Sequence, residues 1–165
     1  MINFESEKYS KIIEYILKNH HTPLKKQLPE LEKLVYTIFK VHFEDSGDIL
    51  EKVHRLFGQL KIILESHIIK EERELFYMIR DYEKDPSSEL LENILVGIES
   101  VERDNKEIEE LVKELRQVTN EYMVPPTGCP TYENTYEGLK TLGENLLEHI
   151  DIENNVIFSR LKNTL

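Results

Sequence analysis

Two histidines in this chain are each followed, four residues later, by a glutamate: His67-Ile68-Ile69-Lys70-Glu71 and His149-Ile150-Asp151-Ile152-Glu153. On a helix, four residues is about one turn, so each pair sets an imidazole and a carboxylate on one face, one above the other. Taken singly, such a pair reads as well as an exposed histidine that precedes a glutamate in an acidic protein. Here it recurs with matching flanks, Glu72-Arg73-Glu74-Leu75-Phe76 and Asn154-Asn155-Val156-Ile157-Phe158. Both pairs also fall on apolar stripes, where a carboxylate is costly unless it is paired or ligated. Two inward glutamates, each a turn from an inward histidine, call for a shared cation.

The rest of the chain supplies the helices that such a site needs. Apolar residues recur at threes and fours, Gly and Pro are sparse, and nearly a third of the residues are charged, a mixture that reads as all-helical. The first helical stretch covers residues 6–43, with Thr22-Pro23 expected to cap and break it and Pro29 a second disturbance. Its stripe is His21, Leu24, Leu28, Leu31, Val35, Ile38 and His42, and His20 falls off it, towards solvent. Ser46-Gly47-Asp48 reads as a turn and helix start. The second helix then reaches about residue 84, with Val53, Phe57, Leu60, Leu64, His67, Glu71, Leu75 and Met78 inward. Asp85-Pro86 ends it, and Ser87-Ser88 can cap a third helix, to about residue 122, whose stripe includes Val101, Asn105, Ile108 and Val112. The proline-rich segment 123–130 is a loop, and Thr131 is expected to cap a fourth helix carrying Leu142, Leu146, His149, Glu153, Val156 and Arg160 inward. Four long helices with short connections make an up-down-up-down four-helix bundle, one domain over residues 1–165.

In an antiparallel pair, residues equally far from the connecting turn lie at one height. His21 and His67 lie 23 residues either side of Glu44, and His67 and Asn105 lie 19 residues either side of Pro86. Asn105 and His149 are nearly matched about the third loop. The expected central set is therefore His21, His67, Glu71, Asn105, His149 and Glu153. His42 is 21 residues beyond His21, about 30 Å along a helix. It and His54 belong to one end of the bundle, where they could neighbour each other.

Imidazole and carboxylate without thiolate suit iron, manganese or zinc, and two carboxylates between two metals can bridge them. The histidine-then-glutamate order also differs from ferritin-like carboxylate sites, where glutamate precedes histidine by three. The net charge of −11 argues against nucleic acid and against anionic membrane surfaces. No apolar run approaches a membrane span, and Met1 leads into charged sequence without a signal peptide. A single cysteine, Cys129, excludes an internal disulfide and fits a cytoplasmic protein.

At these residues the chain resembles the hemerythrin-like proteins, and within them the family named for repair of iron centres. The resemblance runs through Asn19-His20-His21, Leu28-Pro29-Glu30-Leu31, Val41-His42, His67 to Phe76, Leu115-Arg116-Gln117-Val118-Thr119, Pro125-Pro126-Thr127-Gly128-Cys129 and His149 to Phe158. It implies a non-haem di-iron centre held by four histidines and two bridging glutamates. It also implies binding of a small diatomic ligand, nitric oxide or oxygen, and a part in restoring iron–sulfur proteins after nitrosative or oxidative damage. An oxygen- or redox-sensing binding module, or a bundle with one metal or none, are the other readings.

Two departures bear on this expectation. The family's third helix carries a histidine within a Glu-His-Asp triplet, and Glu102-Arg103-Asp104 looks like that text. The stripe, however, turns Arg103 outward, and counting back from Cys129 and Thr119 puts Asn105 at the histidine position. A neutral amide there weakens the second of the two expected irons. Members of the family also often carry a small cysteine-bearing domain ahead of the bundle, and this sequence begins at the bundle. Cys129 matches a loop cysteine of the family and reads as a packed structural residue.

Overall fold

The computed structural model describes residues 4–164. Its four long helices run up, down, up and down. Helix α1 covers 9–41, α2 covers 43–84, α3 is Ser88–Val118, and α4 covers 130–162. Long amphipathic stripes with few breakers explain their length. No described helix is long and apolar enough to cross a membrane.

Three of the four helices change winding part-way. A π-helical turn occupies Leu17–His21 in α1, Glu71–Leu75 in α2 and Glu153–Phe158 in α4, with α-helix on both sides of each. A π turn accommodates one extra residue, so everything beyond it is rotated by about one residue's angle, roughly 100°. The consequence is visible in what is buried. Beyond Glu71 the core takes Leu75, Phe76 and Ile79, and Met78 is only half-buried. Beyond Glu153 it takes Ile157, Phe158 and Leu161, where plain α-periodicity had selected Val156 and Arg160.

Several helix ends also differ from expectation. Thr22-Pro23 neither caps nor breaks α1: the helix continues through it, and Thr22 Oγ1 donates to the Leu17 carbonyl at 2.9 Å. The preceding π turn explains this, because Pro23 lacks an N–H to contribute and the winding is already loosened there. The first connection is a single residue, His42, and α2 starts at Phe43, so Ser46-Gly47-Asp48 is helix and not turn. Helix α4 begins at Pro130 with Cys129 as its cap position, so Thr131 is already helical. Ser87 does cap α3, its hydroxyl accepting from the Leu90 N–H at 3.2 Å. After α3 the chain reverses through Asn120, Glu121 and Tyr122, all at positive φ. That conformation costs non-glycine residues. It is held by the Glu121 N–H on the Arg116 carbonyl (2.8 Å) and the Tyr122 N–H on Thr119 Oγ1 (3.0 Å).

The apolar interior forms two separate clusters. One lies between residues 24–68 and 108–150, around Phe57, Leu60, Tyr132 and Tyr136. The other is built from Ile12, Ile13, Ile16, Phe76, Ile79, Ile94, Ile98 and Phe158. The layer between them is polar.

Candidate metal centre

That layer is where the sequence-derived residues meet. His21, His67, Glu71, Asn105, His149 and Glu153 are all buried, none more than 2 % exposed. His21, Glu71, His149 and Glu153 each present one donor atom, and these four atoms lie within 4.8 Å of one another. Two π turns place the carboxylates: Glu71 and Glu153 are each the first residue of one, a turn beyond His67 and His149.

Inside the layer the two imidazoles of His21 and His149 share a hydrogen bond, but the imidazole–carboxylate contacts are close without being aligned as hydrogen bonds. His21 Nε2 lies 3.2 Å from His149 Nε2 and 3.1 Å from Glu71 Oε2. His67 Nε2 lies 3.3 Å from Glu71 Oε2 and 3.9 Å from Glu153 Oε2. His149 Nε2 lies 2.5 Å from Glu153 Oε1. Yet both Glu71 oxygens and Glu153 Oε1 lack a hydrogen-bond partner, because these atoms approach in distance and not in direction. Buried polar atoms are normally satisfied. Three imidazoles and two carboxylates that crowd one volume with no imidazole–carboxylate hydrogen bond among them fit a divalent cation, whose donor preferences they match.

The electrostatics follow from this crowding. Burial and then Glu153 push the Glu71 carboxyl well above its ordinary range. Burial also pushes Glu153 upward, but the neighbouring His149 and His67 outweigh it and hold that carboxyl low. Two carboxylates this close do not both ionise readily in a dry layer, and one keeps a proton unless a cation replaces it. Burial depresses the His21 imidazole. Burial also acts against the charged form of His67, but Glu71, Asp104 and Glu153 more than offset it. A neutral His21 leaves a lone pair free for a metal.

Outer residues flank two of the rings, and one ring is fixed by a hydrogen bond. Glu72 Oε1 accepts from His21 Nδ1 at 3.0 Å and is itself held by Lys25 Nζ at 2.6 Å. The proton on His21 is thereby kept at Nδ1, and Nε2 faces inward. Asp104 Oδ2 stands 3.7 Å from His67 Nδ1 and is bound by Lys70 at 2.8 Å. Sequence reasoning passed over Glu72, Lys25, Asp104 and Lys70. The signal available for Asp104 was its place one residue before Asn105.

Asn105 sits at the position expected of it, and Arg103 is exposed. The Asn105 amide donates to Glu153 Oε2 (3.1 Å) and to Asn154 Oδ1 (3.2 Å), and its own oxygen is unpartnered. His20 departs from expectation. It is 7 % exposed, its ring stacks on that of His149 at 5.2 Å, and neither ring nitrogen has a partner. The widened π turn carries both His20 and His21 inward, where the stripe through His21 leaves His20 outside. His54 packs on Tyr36 and Phe39, while His42 turns instead to Cys129 and Tyr132.

Comparison with known proteins agrees with this geometry. A family model described as the hemerythrin HHE cation binding domain matches residues 13–161. The chain is 32 % identical over 158 residues to the iron-sulfur cluster repair protein YtfE of Escherichia coli, covering 96 % of this chain and 68 % of that one. The same protein from Escherichia fergusonii matches to the same extent.

Proposed function

Since the chain belongs to the hemerythrin family of cation-binding HHE domains, we propose that it is a non-haem iron protein whose buried layer binds a diatomic gas and serves the repair of iron–sulfur clusters. The carrying observation is the convergence of His21, Glu71, His149 and Glu153 on one volume, all fully buried. Bound there, iron would supply an open coordination position for nitric oxide or oxygen and a redox couple. The protein's own residues set the terms. His21 and His149 offer ring-nitrogen donors, and Glu71 and Glu153 supply the negative charge that a divalent cation balances. Glu72 holds the His21 imidazole in place. The link to cluster repair rests on the relatives' function and on the 96 % coverage of this chain.

A single-metal form is the second reading, and Asn105 favours it. Its N–H₂ group, a donor, faces Glu153 Oε2 on the side shared with His67. A second iron would have His67 and carboxylate oxygens as its donors with no further imidazole from α3, and would bind more weakly than the first.

Metal content and absorption of protein isolated from iron-replete cells test both readings. Iron above one per chain supports the paired site, and one per chain supports the single-metal form. Zinc alone, or no metal, overturns the iron-based function. Recovery of a peroxide-damaged iron–sulfur dehydratase on addition of the iron-loaded protein tests the repair role.

A further inference from the structure

At one end of the bundle, away from the metal layer, three side chains from separate parts of the chain form a relay. Cys129, at the start of α4, places Sγ 3.3 Å from His42 Nε2. The other nitrogen of that ring, Nδ1, lies 3.3 Å from Asp45 Oδ2. Asp45 is anchored in turn by the Thr127 hydroxyl at 2.7 Å. His42 is buried (7 % exposed) and its ring is fixed edge-on against Tyr132, with centroids 5.1 Å apart. Cys129 is only partly buried.

Thiol and carboxylate face different nitrogens of one imidazole, so the three cannot chelate one ion. They can pass a proton. The order nucleophile, base, orienting carboxylate is that of an activated thiol. The sulfur also sits at the cap position of α4, where the helix N-terminus favours negative charge. His42, and then the Tyr132 backbone N–H, bring the thiol down to about 7. Cys129, the Asp45 carboxylate and their hydrogen bonds raise the His42 imidazole against the opposing effect of burial.

We propose that Cys129, His42 and Asp45 form a second site, separate from the metal layer, at which the thiol reacts with low-molecular-weight disulfides to carry a reversible mixed disulfide. His42 takes the thiol proton, and the thiolate attacks one sulfur of the disulfide. A new S–S bond forms to Cys129 as the old one breaks, and the departing thiolate takes the proton from the His42 imidazolium. Cys129 is oxidised and the small disulfide is reduced to one thiol and the protein-bound half. Cys129 is the sole cysteine of these 165 residues, so within them no second thiol resolves the adduct. It persists until an external thiol reverses the exchange, which makes the site a record of the surrounding thiol–disulfide balance.

The test uses the full, metal-loaded chain with 2-hydroxyethyl disulfide, a neutral probe indifferent to the acidic surface, at pH 7. Adduct formation is followed by intact mass. The native protein is expected to gain one adduct about fivefold faster than the urea-unfolded chain, the higher thiolate fraction being partly offset by lower intrinsic nucleophilicity. Cys129→Ser should gain none and keep its metal. His42→Gln should fall to about the unfolded rate, and Asp45→Asn, which leaves the ring in place, should fall part of the way. A native rate no greater than that of the unfolded chain overturns the proposal. So does a folded Asp45→Asn or His42→Gln protein that reacts as fast as the native one.

Discussion

The Asn105 amide donates to Glu153 Oε2 across 3.1 Å, from a side chain with no exposure to solvent. The amide thereby occupies one face of a carboxylate that the opposite helix presents to the metal layer. An imidazole in its place would offer a lone pair where the amide offers hydrogens.

Asn105→His is therefore expected to raise bound iron from about one towards two per chain, or to tighten the weaker site. Arg103→His, two residues away on the exposed face, should leave the metal content unchanged. Metal analysis of both variants after identical loading decides the matter. A gain from Arg103→His alone would overturn the register of α3.

Truncating the inward imidazoles should release metal where truncating those at the end of the bundle does not. His67→Ala and His149→Ala are each expected to weaken binding at least tenfold, the lower bound set by the loss of mere outer partners. His54→Ala, whose ring packs on Tyr36 and Phe39, should bind as the native protein does. Competition against a chromophoric chelator measures all three, and equal losses would refute the common level.

Glu71→Gln should weaken metal binding yet stabilise the metal-free protein. Neither Glu71 oxygen has a hydrogen-bond partner, and burial with Glu153 raises its carboxyl well above the ordinary value. Below the ordinary glutamate range this residue is protonated in both folded and unfolded chains and contributes no pH dependence. As pH rises towards the raised value, the folded chain keeps a proton that the unfolded chain has released, so native stability falls. Glutamine does not titrate, and its advantage should grow over that interval to about 1–3 kcal/mol. Urea unfolding of both metal-free proteins across that range reads the difference. A constant difference with pH would mean that Glu71 does not titrate in the dry layer.

Ser87→Ala removes the hydroxyl that accepts from the Leu90 N–H at 3.2 Å. Loss of this cap should cost about 1 kcal/mol without altering metal content, because α3 starts far from the metal layer. A fall in bound metal matching the fall in stability would show that the two ends of α3 are coupled.

Most of the bundle was legible because stripes of threes and fours report directly on which face is buried. The level shared by His21, His67, Asn105 and His149 followed from counting outward from the turns, which needs only the rise of a helix. What failed has one main physical origin. Periodicity counts 3.6 residues per turn, and a π turn breaks that count without any signature in composition. The plain count therefore leaves His20 outside and points to Val156 and Arg160, where Ile157 and Leu161 are the buried residues. The turns failed for a different reason. Ser46-Gly47-Asp48 has turn composition, but α2 absorbs it because the reversal is completed at His42. The His42–Cys129 contact joins residues 87 apart, and no local pattern could announce it.

The π turns give the chain something like a reading frame. Each of three helices is in phase with one oily half of the molecule before its polar layer and with the other half after it. Adding a single residue between His67 and Phe76 would swing Phe76 and Ile79 by about 100°, out of the second cluster and towards water, whereas removing one would be absorbed by a return of the π turn to α winding. The same lesion in a surface turn would shift nothing inside. Tolerance to insertion is therefore set by distance from the polar layer, and the helix lengths across it are as tightly determined as the identities of the residues that fill it.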